Sequence, residues 1–307
     1  MTLKSVRWLP SFLLFVSCSA THSQSDALPV SAEISRSTHV YQTFSDDSLS
    51  LDLRIPVPMN SQALGVVFMH GGGFSQGQRD LGPHTSFLDT LAAYGIPSAS
   101  ISYRLTQKGR GFGCAVSVEE KQTAVELAAQ DLMAALDWLK ASPLLLPKEW
   151  AAAGSSAGAE AALWAGYAVA PEAWAGVISF AGAVSHELAV PLNAPPLFAA
   201  HGICDQVVPS QEGIHRECHA EDPGAWLLCG GLCWAQRLTT AEIGSSSYAY
   251  CGRGHEVCNA AMLDTTLQDS LSHWLSHPVH RGTTMDVSIS EGGTFQSKDP
   301  RCLQPCH

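Results

Sequence analysis

Short apolar runs alternate along the chain with longer segments of helical periodicity. The runs predict strands over residues 65–69, 96–103, 150–153, 176–180 and 196–201. Ahead of them, residues 39–44 and 49–55 predict an antiparallel hairpin, because both are rich in apolar residues and a polar turn separates them. The chain therefore opens with a hairpin and continues with buried strands.

Other segments predict helices, over residues 119–140, 157–170 and 256–276. In the first of these, apolar side chains recur at helical spacing: Val125, Leu132, Leu136 and Leu139. Strands that alternate with helices indicate an α/β fold with a mostly parallel central sheet and helices on both faces. Because such sheets bind ligands outside the carboxyl ends of their strands, we expect the chemistry in residues that follow each strand.

The same pattern divides the chain. One globular domain is predicted over residues 38–277, with an inserted loop near 211–231 that does not follow the alternation. Residues 278–307 are rich in Gly, Ser and Thr and lack periodicity, which predicts a loosely packed tail. Residues 19–37 are rich in Ser and Thr and predict a flexible, solvated tether.

Residues 1–18 have the layout of an export signal. Two basic residues precede an apolar stretch of about ten residues, which is too short to span a bilayer. The run at residues 15–18 resembles the lipobox of bacterial lipoproteins, although Phe15 replaces the usual Leu. This resemblance implies that Cys18 is lipidated and anchors the protein to the membrane of the cell envelope. Ordinary cleavage near Ala20, which would give a periplasmic or secreted protein, is the alternative.

Composition and charge narrow the class of protein. The chain has 307 residues, of which 46% are hydrophobic and 15% are charged, so it can bury a large core and is a poor fit to intrinsic disorder. The formal net charge is -11 and the sequence contains no Lys/Arg-rich block. Nucleic acid is therefore not expected as a partner, because binding to phosphates needs a basic surface.

The chain contains 10 Cys, most of them in its second half. In an exported protein they predict disulfides, and removing Cys18 leaves an odd number, so at least one thiol should remain free or pair outside the chain. A metal site is the alternative, because Cys229 and Cys233 lie near Cys218 and two histidines. Their spacing differs from that of standard zinc sites, and we predict neither a metal nor a cofactor.

Two glycine-rich motifs follow predicted strands. Residues 154–158 have the pattern G-x-S-x-G between a strand and a helix, where it presents the central serine, Ser156, as a nucleophile at a helix N-terminus. Residues 70–74 read His-Gly-Gly-Gly-Phe directly after the strand at 65–69. Consecutive glycines let backbone N–H groups converge on one point, and such donors stabilise the oxyanion of acyl transfer. A plain glycine-rich turn and a phosphate-binding loop are the alternatives for the second motif, and the absence of a following Gly-Lys-Ser/Thr argues against the phosphate-binding loop.

The order and spacing of these motifs resemble the α/β-hydrolase family, specifically the esterases and lipases related to hormone-sensitive lipase and the bacterial carboxylesterases. The resemblance covers about residues 40–277. It implies oxyanion donors at the backbone N–H groups of Gly72, Gly73 and Ala157. It also implies an acid and a base after later strands, and Asp205, in the motif at residues 201–209, and His255, in a Gly-rich loop, stand at those positions.

The function implied by the resemblance is that of a serine carboxylic-ester hydrolase, which acts on small or medium esters through an acyl-enzyme. Other acyl chemistry on the same triad is the alternative within this mechanism, as in a polysaccharide deacetylase, a feruloyl-type esterase or a peptidase, because fold and triad do not fix the leaving group. A metal-dependent hydrolase and a non-catalytic surface binding module are the alternatives from other classes.

Overall fold

The computed structural model describes residues 33–277, 281–289 and 295–296, together with Cys302 and Cys306. The predicted export signal, including Cys18, lies outside the described residues. Among the helices of the described ranges, none is long and apolar enough to cross a membrane.

The strands and helices alternate along most of the chain. The strands are β1 (Glu33–Thr43), β2 (Ser48–Val57), β3 (Gly65–Met69), β4 (Ser98–Ile101), β5 (Trp150–Ser155), β6 (Gly176–Phe180), β7 (Ala183–Ser185), β8 (Leu197–Gly202), β9 (Glu212–Ile214), β10 (Leu227–Gly230), β11 (Ser245–Tyr250), β12 (Met285–Ile289) and β13 (Phe295–Gln296). The α-helices are α1 (Pro83–Ala93), α2 (Val118–Ala141), α3 (Ala157–Trp164), α4 (Gly231–Thr240), α5 (Val257–Leu263) and α6 (Thr265–Ser276).

Most strands join one sheet in the order β1-β2-β4-β3-β5-β6-β8-β11-β12-β13. Neighbours from β4 to β12 in that order run parallel, whereas β1, β2 and β13 are antiparallel to their neighbours at the two edges. The predicted α/β fold with a mostly parallel central sheet is confirmed. A second, smaller sheet has the order β7-β10-β9 and is antiparallel.

The central sheet is buried on both faces, as parallel sheets are when helices cover them. On β3, alternate side chains point to opposite faces. Val67 and Met69 pack in the cluster that contains apolar residues of α2, whereas Val66 and Phe68 pack in the cluster that contains apolar residues of α1. The sheet therefore holds the carboxyl ends of its strands in a fixed array, from which the loops of the site project.

The structure corrects the predicted domain boundaries. Residues 33–37, which composition assigns to the tether, belong to β1 and pair with residues 53–57 of β2. The tail at 278–307 is not loosely packed in its described parts, because β12 pairs in parallel with β11 and two tail cysteines form disulfides. The insert near 211–231 is not simply a loop, because β9 and β10 extend the smaller sheet. In each case pairing with another strand orders a segment that has little local periodicity.

Helix boundaries also differ from the sequence expectations. The helix predicted over 157–170 ends at Trp164 and continues as a π-helical turn, Ala165–Val169. The helix predicted over 256–276 is two helices, because the Asp264 carboxylate accepts hydrogen bonds from the first free N–H groups of α6 and begins a new helix there. The helix α1 was not predicted.

Candidate active site

Ser156 stands at the sharp turn between β5 and α3, with φ 51 and ψ -123. This backbone conformation is strained for a residue other than glycine. The Ser156 N–H donates to the Phe180 carbonyl at 2.8 Å, which fixes the turn against β6. A Cβ at Gly158 would overlap the carbonyls of Met69 and His70, so only glycine lets α3 lie this close to the end of β3. The turn thus presents the Ser156 hydroxyl at the carboxyl edge of the sheet.

The side chains of Ser156, His255 and Asp205 form one hydrogen-bonded series. Ser156 Oγ lies 2.8 Å from His255 Nε2, and His255 Nδ1 lies 2.7 Å from Asp205 Oδ2. Because an ionised carboxylate can only accept, His255 donates through Nδ1, and its Nε2 is left to accept the serine proton. The Asp205 side chain has no exposed surface, whereas the His255 side chain is 23% exposed. This arrangement can move a proton away from the serine hydroxyl.

Four donors surround the Asp205 carboxylate. Its Oδ1 accepts from the N–H groups of Val207 and Val208, both at 2.9 Å, and its Oδ2 accepts from His201 Nε2 at 3.2 Å in addition to His255. Burial favours a higher pKa, but the hydrogen bonds from His201 and His255 outweigh it and hold the pKa of Asp205 well below its ordinary value. Asp205 is therefore ionised at neutral pH. His201 therefore contacts the site through the Asp205 carboxylate.

The loop that follows β3 passes directly beside the nucleophile. A Cβ on Gly71 would lie 3.3 Å from the Ser156 Cβ. Gly72 has φ 122, which a side chain rarely adopts, and its carbonyl accepts hydrogen bonds from the loop itself. Within the described ranges, the N–H groups of Gly72 and Gly73 have no hydrogen-bond partner. Ala157 opens α3, where helix geometry leaves its N–H without an acceptor in the helix.

The side chains of His70 and Phe74, at the two ends of this loop, pack against buried aromatic residues. The His70 ring stacks on Tyr103 with centroids 4.5 Å apart, and its Nδ1 donates to the Gly71 carbonyl at 2.7 Å. Burial lowers the pKa of His70 to about 4, so the ring is neutral at pH 7. Phe74 is fully buried and packs edge-on against Phe112, with centroids 4.9 Å apart. Phe112 is also buried, and it lines the cavity described below.

A cavity of about 590 Å³ opens beside Ser156 and His255 of the hydrogen-bonded series. Its wall includes Ser156 and His255, the glycines of the loop after β3, Phe112, Val207 and Arg216. Gly72 and Gly73 are therefore on the same wall as the Ser156 hydroxyl. A small or medium organic molecule fits a cavity of this size.

Three titratable side chains are buried near this wall. Lys121, on α2, donates to the Gly224 carbonyl at 2.7 Å and lies 3.0 Å from His215 Nδ1, and burial lowers its pKa to about 8. Burial, with the nearby charges of Lys121 and Arg216, lowers the pKa of His215 to about 2. Glu160 lies one turn of α3 beyond Ser156, and burial raises its pKa to about 8. At pH 7 His215 is neutral and Glu160 is mainly protonated.

The cysteines of the described residues form disulfides, with Cys258 left as a buried free thiol. The pairs are Cys114–Cys218, Cys204–Cys306, Cys229–Cys233 and Cys251–Cys302. The odd thiol agrees with the sequence expectation. The alternative metal site would need free thiolates at Cys218, Cys229 and Cys233, and all three are bonded to another cysteine.

The disulfide Cys204–Cys306 joins the residue before Asp205 to the end of the tail. We expect Cys204→Ala/Cys306→Ala to lower the free energy of unfolding by about 4 kcal/mol, because loop-closure entropy grows with the length of the closed loop, which the Cys251–Cys302 disulfide shortens. The sequence separation of this pair is 102 residues. Urea unfolding, followed by circular dichroism, measures the change.

The matched control is Cys229→Ala/Cys233→Ala, since these cysteines have a sequence separation of only 4. Loop closure predicts a loss of about 2 kcal/mol for this control. An equal or smaller loss for the Cys204–Cys306 pair than for the control would show that this disulfide does not constrain the unfolded chain as described.

Sequence reasoning found the members of the hydrogen-bonded series and the loop beside it, but it missed Arg216, Lys121 and Glu160. Arg216 belongs to the segment read as an insert, and no motif marks it. Lys121 and His215 meet although 94 positions separate them. Cys218, two positions after Arg216, was the one local feature that indicated a segment held in place by a disulfide.

Comparisons with known proteins identify the architecture. No protein-family model matches the sequence, and no curated protein matches it. Among solved structures, the chain is similar to the apo form of Thermogutta terrifontis esterase 2, with a TM-score of 0.56 and 18% identity over 79% of this chain and 93% of that one.

Two further solved structures are similar to the same extent. Brefeldin A esterase, a bacterial homologue of human hormone-sensitive lipase, gives a TM-score of 0.54 at 18% identity, over 82% of this chain and 78% of that one. Dienelactone hydrolase from Anabaena variabilis gives 0.50 at 18% identity, over 79% of this chain and 96% of that one. The parallel sheet, its strand order and these likenesses together show that the chain has the α/β-hydrolase fold.

Proposed function

We propose that the protein is a serine carboxylic-ester hydrolase that acts on small or medium esters. The observation that carries this proposal is the series Ser156 Oγ, His255 Nε2 and Asp205 Oδ2, with links of 2.8 and 2.7 Å, at the wall of an open cavity. Thermogutta terrifontis esterase 2 has been solved phosphoramylated by tabun and also with butyrate bound. That protein's chemistry supports the same reaction class here.

In the first half of the reaction, Ser156 Oγ attacks the carbonyl carbon of the ester while His255 Nε2 takes the hydroxyl proton. Asp205 keeps His255 in the tautomer that accepts at Nε2 and stabilises the imidazolium that forms. When the tetrahedral intermediate collapses, the bond to the leaving alcohol breaks and His255 gives that alcohol its proton. The acyl group remains on Ser156.

In the second half, water attacks the acyl carbon and gives a proton to His255. Collapse then breaks the bond to Ser156 Oγ, which takes the proton back, and the carboxylic acid leaves. In both halves the oxyanion accepts hydrogen bonds from the backbone N–H groups of Gly72, Gly73 and Ala157. One such donor contributes about 10²- to 10³-fold to kcat in enzymes that use this device.

Hydrolysis of p-nitrophenyl acetate and p-nitrophenyl butyrate by the purified protein tests the proposal. We expect saturable release of p-nitrophenol, with a kcat that falls about a million-fold in the Ser156→Ala variant. A folded parent protein that turns over neither ester would contradict the proposed function.

We also propose that the enzyme works in the cell envelope, anchored through a lipid on Cys18. Four disulfides support a compartment outside the reducing cytosol. We expect Cys18→Ser to move the protein from the membrane fraction to the soluble fraction, because lipidation needs the cysteine thiol. Fractionation and immunoblotting of cells that express each form measure this. Membrane association that is unchanged in the variant would refute the lipid anchor.

A further inference from the structure

The cavity in front of Ser156 has one charged side chain on its wall that the proposed mechanism does not use. Arg216 lines the cavity together with Val207 and His255. Among the described residues on this wall there is no Asp, Glu or Lys. Arg216 therefore gives the wall a positive charge, although the chain as a whole has a formal net charge of -11.

Arg216 also differs from the other arginines of the described ranges in having no partner. Each of the others forms an ion pair or donates a hydrogen bond: Arg36, Arg54, Arg79, Arg104, Arg110, Arg237, Arg253 and Arg281. Within the same ranges, the guanidinium of Arg216 does neither. Its N–H donors are consequently available to a molecule that enters the cavity.

The backbone holds Arg216 in this position. The residue has φ 58 and ψ 24, a left-handed conformation that few residues with a side chain adopt. Its N–H donates to the Val207 carbonyl at 2.9 Å, and the preceding residue, His215, donates to the Trp226 carbonyl at 2.9 Å. Two residues later, Cys218 is bonded to Cys114. These contacts fix the segment on both sides of Arg216.

One acidic group on which the charge of Arg216 acts is itself kept neutral. Glu160 is close enough to Arg216 for the guanidinium charge to act on it, but burial raises the pKa of Glu160 to about 8. Glu160 is therefore mainly protonated at pH 7. Lys121 Nζ lies 5.8 Å from the centroid of the Phe112 ring and adds a second positive charge near Arg216.

We propose that Arg216 binds an ionised carboxylate of the substrate, so that the enzyme selects esters that carry a second, free carboxyl group, such as half-esters of dicarboxylic acids. The planar guanidinium matches a carboxylate with two parallel hydrogen bonds. Arg216 is in this account a specificity-determining residue, and the inference rests on the proposed hydrolysis of esters at Ser156.

The test compares pairs of esters that differ in charge and little else. For a carboxylate on the acyl side, the pair is the 4-nitrophenyl monoester of adipic acid and 4-nitrophenyl hexanoate. For a carboxylate on the alcohol side, the pair is 4-acetoxybenzoate and 4-acetoxybenzamide. The ratio of kcat/KM for the charged ester to that for the neutral ester is measured for the parent protein and for Arg216→Gln. Gln keeps the Cβ, so the strain of the loop does not change.

We expect Arg216→Gln to lower this ratio for at least one pair by about tenfold to a hundredfold, the range for a hydrogen bond to a charged group. The loss should fall mainly on KM, because the contact is made equally in the ground state and the transition state. The matched control is Arg36→Gln, which removes one positive charge from exposed β1 and should leave the ratio unchanged. Equal ratios in the parent and Arg216→Gln, for both pairs, would overturn the inference.

Binding separates this inference from the proposed function. Monomethyl adipate is titrated calorimetrically into Ser156→Ala and into Ser156→Ala/Arg216→Gln, because loss of the nucleophile makes turnover negligible during the titration. Binding that is lost with Arg216 supports the carboxylate site even if the parent hydrolyses no ester, in which case only the proposed function fails. Ester hydrolysis with no dependence on Arg216 in either assay refutes the carboxylate site and leaves the proposed function standing.

Discussion

Replacing Ser156 with alanine is expected to lower kcat for p-nitrophenyl butyrate about a million-fold, the loss seen when a triad nucleophile is removed. The reason is that Ser156 Oγ supplies the bond to the acyl group, and no other hydroxyl is within hydrogen-bonding distance of His255 Nε2 among the described residues. A residual rate over that in water should remain, because the proposed oxyanion donors and the cavity are intact. The measurement is p-nitrophenol release at saturating ester.

Ser155 provides the matched control for this variant. It is the neighbouring residue, at the end of β5, and it is buried. Ser155→Ala removes a hydroxyl of the same size from the same turn, and we expect it to keep most of the activity. The roles assigned to the two serines would be wrong if Ser155→Ala were inactive and Ser156→Ala active.

Asp205→Asn is expected to lower kcat by about 10⁴-fold, because an amide does not hold the neighbouring histidine in the tautomer that accepts the serine proton. The environment of Asp205 makes the change more severe. The carboxylate accepts from Val207, Val208, His201 and His255, whereas an asparagine amide has one acceptor oxygen. At least one buried donor would lose its partner, at a cost of about 1–3 kcal/mol in the free energy of unfolding.

Activity and stability must therefore be measured together for Asp205→Asn. Activity is assayed at a temperature where circular dichroism and urea unfolding show the variant to be folded. The control is Asp137→Asn, an exposed position on α2, which should change neither quantity. A folded Asp205→Asn protein with kcat within tenfold of the parent would contradict the role given to Asp205.

The parts of the site that depend on local sequence could be predicted. The nucleophile turn and the loop after β3 are short motifs, in which glycines allow close contact between backbone segments, so their residues stand together in the chain. The acid and the base were found by a different route, through chain order in a resembling family. Their hydrogen bonds join positions 50 and 99 apart in sequence, which no local pattern specifies.

The parts that the sequence did not predict depend on contacts between distant segments. The half-exposed strand β12 has too little hydrophobic alternation to be recognised, and it is a strand because β11 offers it a parallel edge. Arg216 reaches the cavity because Cys218 and the Val207 carbonyl hold its segment there. Disulfide pairing, which the number of cysteines cannot specify, therefore contributes both to the order of the tail and to the position of Arg216 on the cavity wall.

Covalent labelling with paraoxon tests whether Ser156 is a nucleophile activated by His255 and Asp205. The parent protein is treated with the reagent, its intact mass is measured, and its peptides are mapped. We predict the addition of one diethylphosphoryl group, carried by Ser156 Oγ, with no addition to Ser156→Ala and much slower addition to Asp205→Asn. A parent protein that takes up no phosphoryl group, or takes it up on a residue other than Ser156, would contradict the account.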